Sequence, residues 1–308
     1  MRCISPGRPA SRAAALLAKL TCALCIVVQA ACTTPAPTPG KPKLALVIGN
    51  LAYSVFRPLV NPANDAADMC AALKRLGFET MCITDVSTRD EFVARVQEFV
   101  DQLGAETKAV FYYSGHGVQA QNENYLVPTD TQSGTSGDDL TQQLFALSEL
   151  FATLKQKRTA FQLIVLDACR DNPSFSAAPA NQPGSQALES EARTRRVKSL
   201  LVTAKATYGL RPIKDAPVGT IVLYATAADN TAYEGSGRYG PLTEHLLAHL
   251  ETPGINVEEM IKRVTRGVQE DTSGGGYAKQ QTPFVYSSFS GNFCFAGCAE
   301  QMFVTPTF

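Results

Sequence analysis

Two apolar runs in this chain each end in reactive residues, and that pairing limits its fold more than any other feature. Leu163-Ile164-Val165-Leu166 leads into Asp167-Ala168-Cys169, and Val110-Phe111-Tyr112-Tyr113 leads into Ser114-Gly115-His116-Gly117. Unbroken runs of large aliphatic and aromatic side chains mark strands covered on both faces. Such strands belong to a mostly parallel α/β sheet, and in those sheets ligands bind outside the carboxyl ends of the strands. A Cys and a His at two such ends form a candidate active site.

The rest of the chain supplies the alternation that a parallel sheet needs. Residues 44–48 predict a first, central strand stopped by Gly49-Asn50. Residues 63–76 carry Ala66, Met69, Cys70, Leu73 and Leu76 at helical spacing and stop at Gly77. A strand over 78–83 follows, then a helix capped by Thr88 with Phe92, Val96, Phe99, Val100 and Leu103 on one face. The His-bearing strand spans 108–113, residues 121–140 form a loop with a short hairpin arm at 125–128, and a helix over 148–155 leads into the Cys-bearing strand. Further on, the pattern predicts a strand over 220–225, helices over 242–250 and 257–268, and a last strand near 283–286. Strand and helix in alternation predict a mostly parallel central sheet with helices on both faces. Residues 173–208, rich in Ala, Pro, Ser and Gln, are expected to be a flexible insertion. Gly237 and Gly240, around Arg238-Tyr239, make a loop at the border of the cleft.

Composition sets the surroundings of this domain. Lys+Arg and Asp+Glu both total 28, which gives no reason to expect nucleic acid as a partner. Arg2, Arg8, Arg12 and Lys19 fall in the first 32 residues, which hold no acid, so the remainder is mildly acidic. That basic start, an apolar stretch over 20–28 and the small residues Ala30, Ala31 and Cys32 read as an export signal. Cleavage, lipid attachment at Cys32 and retention as a membrane tether all fit it. The expected location is therefore periplasmic, secreted or membrane-anchored. Residues 33–42 are a Pro- and Thr-rich linker. Beyond the leader remain Cys70, Cys82, Cys169, Cys294 and Cys298. If Cys169 is a free thiol the other four are open to pairing, with buried thiols as the equal alternative. His245 and His249 stand four apart, as in zinc sites, but no Glu follows the first and no third ligand is in view, so no metal is assigned.

A thiol is a useful nucleophile only as the thiolate, and a nearby imidazole both takes the thiol proton and later returns one to the leaving amine. His116 and Cys169 have those identities. The backbone amides of Gly117 and Cys169 are the expected oxyanion donors. No carboxylate to orient the imidazole is visible in the sequence, and the dyad is expected to act without one.

Ser114-Gly115-His116-Gly117 and Asp167-Ala168-Cys169, with the His about 50 residues before the Cys, resemble the active-site motifs of caspase-like cysteine peptidases, above all the metacaspases and their bacterial relatives. The resemblance covers residues 43–295, leaves 296–308 as a tail, and includes Asn61-Pro62-Ala63-Asn64-Asp65-Ala66 and Gly209-Leu210-Arg211-Pro212. It implies a caspase-hemoglobinase fold, Cys169 as nucleophile and His116 as general base and acid. Asp167 stands where metacaspases have an acid. A buried carboxylate at a pocket base favours a cationic partner, so the bond cleaved should follow Arg or Lys. Asp65 matches a second acidic pocket position, with a helix-capping role as its alternative, and Ser114 is grouped with these two as substrate-binding. Arg193, Arg195, Arg196 and Lys198 in the insertion are candidates for self-cleavage, or else a solvated charge run. Calcium dependence occurs among metacaspases, but no dense carboxylate loop is present, and no cofactor is assigned. A caspase-like binding or scaffold protein without turnover is the second functional hypothesis. Peptide or protein substrates are the expected partners, and the sequence does not fix the oligomeric state.

Overall fold

A computed structural model describes residues 42–132, 140–169, 206–208, 210, 216–227, 232–274 and 277–298. All of them fall in a single unit that begins at Pro39. The expected leader, the tail beyond Cys298 and the basic cluster Arg193 to Lys198 lie outside the described residues.

Five parallel strands form the sheet: β1 (Lys43–Gly49), β2 (Glu79–Thr84), β3 (Lys108–Ala120), β6 (Phe161–Cys169) and β8 (Thr220–Tyr224). Strand β9 (Phe284–Ser287) adds to β8 antiparallel, and the order is β2-β1-β3-β6-β8-β9. The side chains of each central strand alternate between two cores. Ala45, Val47, Val110, Tyr112, Leu163 and Val165 pack under α1 (Pro62–Arg75), α4 (Pro241–Leu250) and α5 (Val257–Thr272). Leu44, Leu46, Ile48, Phe111, Tyr113, Ile164 and Leu166 pack under α2 (Arg89–Asp101) and α3 (Leu147–Lys155). With both faces covered there is no polar alternation to see, and the continuous apolar runs follow from that. The mixed α/β architecture expected from the sequence is the one found.

Local chemistry sets the element ends. Thr88 caps α2 by accepting the Glu91 N–H at 3.2 Å, and Asn256 caps α5 through the Glu259 N–H at 2.8 Å. Gly49 ends β1 because a Cβ there would lie 2.2 Å from the Pro62 carbonyl oxygen, so the first turn of α1 can press against the strand end. Two disulfides are formed, Cys70–Cys82 between α1 and β2, and Cys294–Cys298 after β9. No helix among the described residues is long and apolar enough to cross a membrane.

Two elements differ from expectation. Strand β3 continues seven residues past Tyr113 to Ala120, where it pairs antiparallel with β4 (Glu123–Leu126) and with β7 (Ala206–Tyr208). β4 also pairs with the two-residue β5 (Phe145–Ala146). Residues 114–116 stay in strand conformation by pairing with β6, and residues 117–120 by pairing with β4 and β7, which satisfy their backbone. The segment expected to be flexible through residue 208 thus ends in a short strand over 206–208.

Candidate active site

Strands β3 and β6 run side by side in parallel, so their reactive ends meet at the same end of the sheet. Their register pairs Ser114 with Asp167 and, two residues on, His116 with Cys169. Both sequence motifs are thereby brought together, the acid-bearing pair one step before the reactive pair.

His116 is held from three sides. Its N–H donates to the Tyr53 hydroxyl at 2.8 Å, and its carbonyl accepts from the Tyr113 hydroxyl at 2.9 Å. The ring packs on Tyr53 with centroids 4.5 Å apart and on Phe56 at 5.6 Å. Gly115 is required between these tyrosines, since a Cβ would lie 2.6 Å from both hydroxyl oxygens. The ring Nε2 lies 2.7 Å from the carbonyl oxygen of Arg57. A carbonyl only accepts, so Nε2 carries the proton and Nδ1 keeps the lone pair. Burial among aromatic rings pushes the imidazole pKa down to about 4, against the pull of the Arg57 carbonyl and with help from the Arg57 charge. The imidazole is therefore neutral at pH 7 with a fixed tautomer, and a backbone carbonyl orients the ring.

The stretch between β1 and α1 that performs this is itself anchored. Asp85, at the end of β2, accepts the N–H groups of Leu51 and Ala52 at 2.8 and 3.0 Å. Tyr53, Val55, Phe56 and Leu59 then form a third apolar cluster with Val118 and Val127.

Next to His116 is a small cleft lined by Asp65, Ser114, Asp167, Tyr233, Glu234 and Gly240, among others. Asp65 reaches it from the first turn of α1, buried to 2 % exposure. Its carboxylate accepts from the Ser114 hydroxyl at 3.0 Å and from the Gly240 N–H at 3.2 Å. The capping alternative therefore does not describe its position: its acceptors face the cleft and not its own helix. Asp167 accepts the Thr243 hydroxyl at 2.6 Å and the Thr243 N–H. None of the ion pairs among the described residues involves either acid. Burial, then the charge of Asp167, raises the Asp65 pKa to about 8. Burial likewise raises Asp167, to about 6, with the Thr243 bonds opposing. Such a pair releases its protons in two coupled steps.

Several residues of the site carried no legible signal. Tyr53 and Phe56 lie between β1 and α1 with no motif to mark them, and any residue could supply the Arg57 carbonyl. Glu234 adds a third carboxylate to the cleft. It is ion-paired with Arg57 and accepts the Val60 N–H at 3.3 Å, while its carbonyl accepts from the Asn61 amide. His245 is engaged by Asp271 at 2.7 Å, and no group of three metal-binding side chains occurs among the described residues.

The fold is similar to that of the crystal structure of caspase-1 from Spodoptera frugiperda. The two superpose with a TM-score of 0.54 over 86% of this chain and 94% of that one, at 11% sequence identity. The caspase domain model matches residues 42–294, and the chain belongs to this family of cysteine peptidases. Over 143 residues it is 28% identical to human mucosa-associated lymphoid tissue lymphoma translocation protein 1, covering 46% of this chain and 17% of that protein. The mouse homolog is 27% identical over 136 residues, 44% of this chain and 16% of that one. A probable protease of a Desulfuromonadales bacterium is 30% identical over 92 residues, 28% of this chain and 11% of its own length. The chain thus spans less than a fifth of these curated relatives.

Proposed function

We propose that the chain is an endopeptidase that cleaves after Arg or Lys through Cys169 and His116, with Asp65, Asp167 and Ser114 forming the recognition pocket. The observation that carries this reading is the register of β3 against β6, which sets the His–Cys pair beside a two-carboxylate cleft. An incoming guanidinium or ammonium group would compensate charges that have no cationic partner among the described residues.

The chemistry follows from the neutral imidazole. Nδ1 takes the thiol proton as sulfur attacks the scissile carbonyl carbon, forming the S–C bond. The oxyanion faces the Gly117 and Cys169 amides, and the imidazolium then protonates the leaving amine as the C–N bond breaks. Water, deprotonated by the same imidazole, releases the acid and restores the thiol. This sequence draws on no cofactor. Tyr53, Tyr113 and Arg57 contribute by keeping the ring in one orientation through both proton transfers.

Arg193, Arg195, Arg196 and Lys198 suit such a pocket and are proposed as self-cleavage points. Export is also proposed, and the two disulfides support it because they persist in oxidising compartments.

Fluorogenic peptides identical except for Arg, Lys or Asp at the cleaved position, assayed beside Cys169→Ala, test the reading. Turnover of the Arg and Lys peptides alone, abolished by the substitution, is expected. Cleavage of the Asp peptide alone would overturn the specificity, and no turnover of any peptide would overturn the activity.

A further inference from the structure

The first turn of α4 addresses both acids of the pocket. Gly240, its N-cap, gives its N–H to Asp65, and Thr243, three residues on, gives both its N–H and its hydroxyl to Asp167. The hydroxyl is in turn 2.5 Å from the hydroxyl of Tyr112 on β3. Thr243 has one hydroxyl proton and donates it to the carboxylate, so Tyr112 must be the donor to Thr243. Both side chains are fully buried. The result is a one-way chain, Tyr112 to Thr243 to Asp167, ending at the cleft.

A buried Tyr–Thr pair in an otherwise apolar core needs a reason, because a Phe and a Val would fill the same space without two hydroxyls to satisfy. The chain ends on the carboxylate of Asp167, while the Tyr112 hydroxyl also bonds with Ser114, which donates to Asp65. We propose that Thr243, backed by Tyr112, is a positioning residue for substrate recognition: it keeps Asp167 in the acceptor-only form and turned toward an arriving guanidinium or ammonium group. This rests on the Arg/Lys reading of the pocket.

Among the described residues, the other groups around Asp167 give it no counter-charge. Asp65 and Asp68 on α1 are like charges. Arg238, from the stretch before α4, is held by Asp68 at 2.8 Å, and Tyr239 donates to the same carboxylate at 2.8 Å. Glu234 is paired with Arg57. Tyr112 is kept protonated by burial and by the two nearby acids, which suits a permanent donor.

Thr243→Val keeps the shape and removes the relay, while Thr243→Ser keeps the hydroxyl. With an arginyl peptide, Thr243→Val is expected to raise KM by about 10-fold, the loss of one hydrogen bond to a charged group, with kcat within about twofold. The acid limb of KM should move to higher pH, and Thr243→Ser should restore both values. An unchanged KM, or an equal loss in Val and Ser variants that falls in kcat, would overturn the proposal. Carboxyl-carbon NMR of the ligand-free protein, labelled at aspartate, separates this from the specificity reading. The Asp167 resonance, assigned with Asp167→Asn, should titrate at higher pH in Thr243→Val whether or not any peptide is cleaved. An unmoved titration would overturn the relay, while a wild-type enzyme that ignores Arg and Lys peptides but shows the NMR shift would overturn only the reading of the substrate.

Discussion

His116 and the Asp65–Asp167 pair lie at one end of the same sheet, and burial acts on both, yet it serves one and frustrates the other. The imidazole is pushed down to about 4, so at neutral pH it is uncharged, the form a general base needs. The two acids are pushed up, to about 8 and about 6, so the empty pocket tends to hold a proton, the wrong form for binding a cation. The difference lies in what each site still awaits. His116 has its orienting partners already in the protein, in Tyr53, Tyr113 and the Arg57 carbonyl. The acids have hydrogen-bond donors but, among the described residues, no counter-charge, and under the proposed reading the substrate brings it. On that reading one site is finished before binding and the other is completed by it.

The largest effect should come from the finished site. His116→Ala is expected to lower kcat by a factor on the order of 10³ with little change in KM, as for loss of a general base. Steady-state kinetics on the arginyl peptide measures both. A loss that fell in KM alone would remove the distinction between the two sites.

Asp167→Asn should do the reverse, raising KM for the arginyl peptide about 100-fold, since it strips one charge from a buried ion pair, and leaving kcat nearly intact. The same assay decides it, and equal losses in both constants would mean that the pocket and the dyad act as one unit.

The smallest effect is on stability. Because the folded-state pKa of Asp65 is raised from 3.8 to about 8, the folded protein binds more protons than the unfolded chain between those values. Its contribution is therefore full below pH 4 and is lost as pH rises toward 8. His116 acts in the opposite sense, contributing above 6.5 and losing that contribution as pH falls toward 4. Asp65→Asn should flatten the alkaline side, raising Tm more at pH 8.5 than at pH 5 by a few degrees. Thermal melts across that range check it, and a gain that is the same at both pH values would count against a buried, proton-holding acid.

The contrast also explains what the sequence made legible. Strands β1, β3, β6 and β8 announced themselves because burial on two faces demands unbroken apolar runs, and parallel order made the ends of β3 and β6 a site. Asp167 was readable because it precedes the thiol in the same run. Its partner Thr243 was not, since the contact joins residues 76 apart in the chain. Asp65 met Gly240 across 175 residues through a backbone N–H, which any residue type could have supplied. The Arg57 carbonyl is hidden for the same reason. Side-chain identity marks the candidate reactive groups, whereas much of what orients them is backbone, and the extension of β3 over residues 117–120 was invisible because its support comes from β4 and β7.

The most direct test follows kcat and KM separately for one arginyl peptide from pH 5 to pH 9. With a finished dyad and an unfinished pocket, KM should fall as pH rises through 6 to 8 while kcat stays level across the same interval. A KM that is flat across that range, with the whole acid limb carried by kcat, would contradict the account.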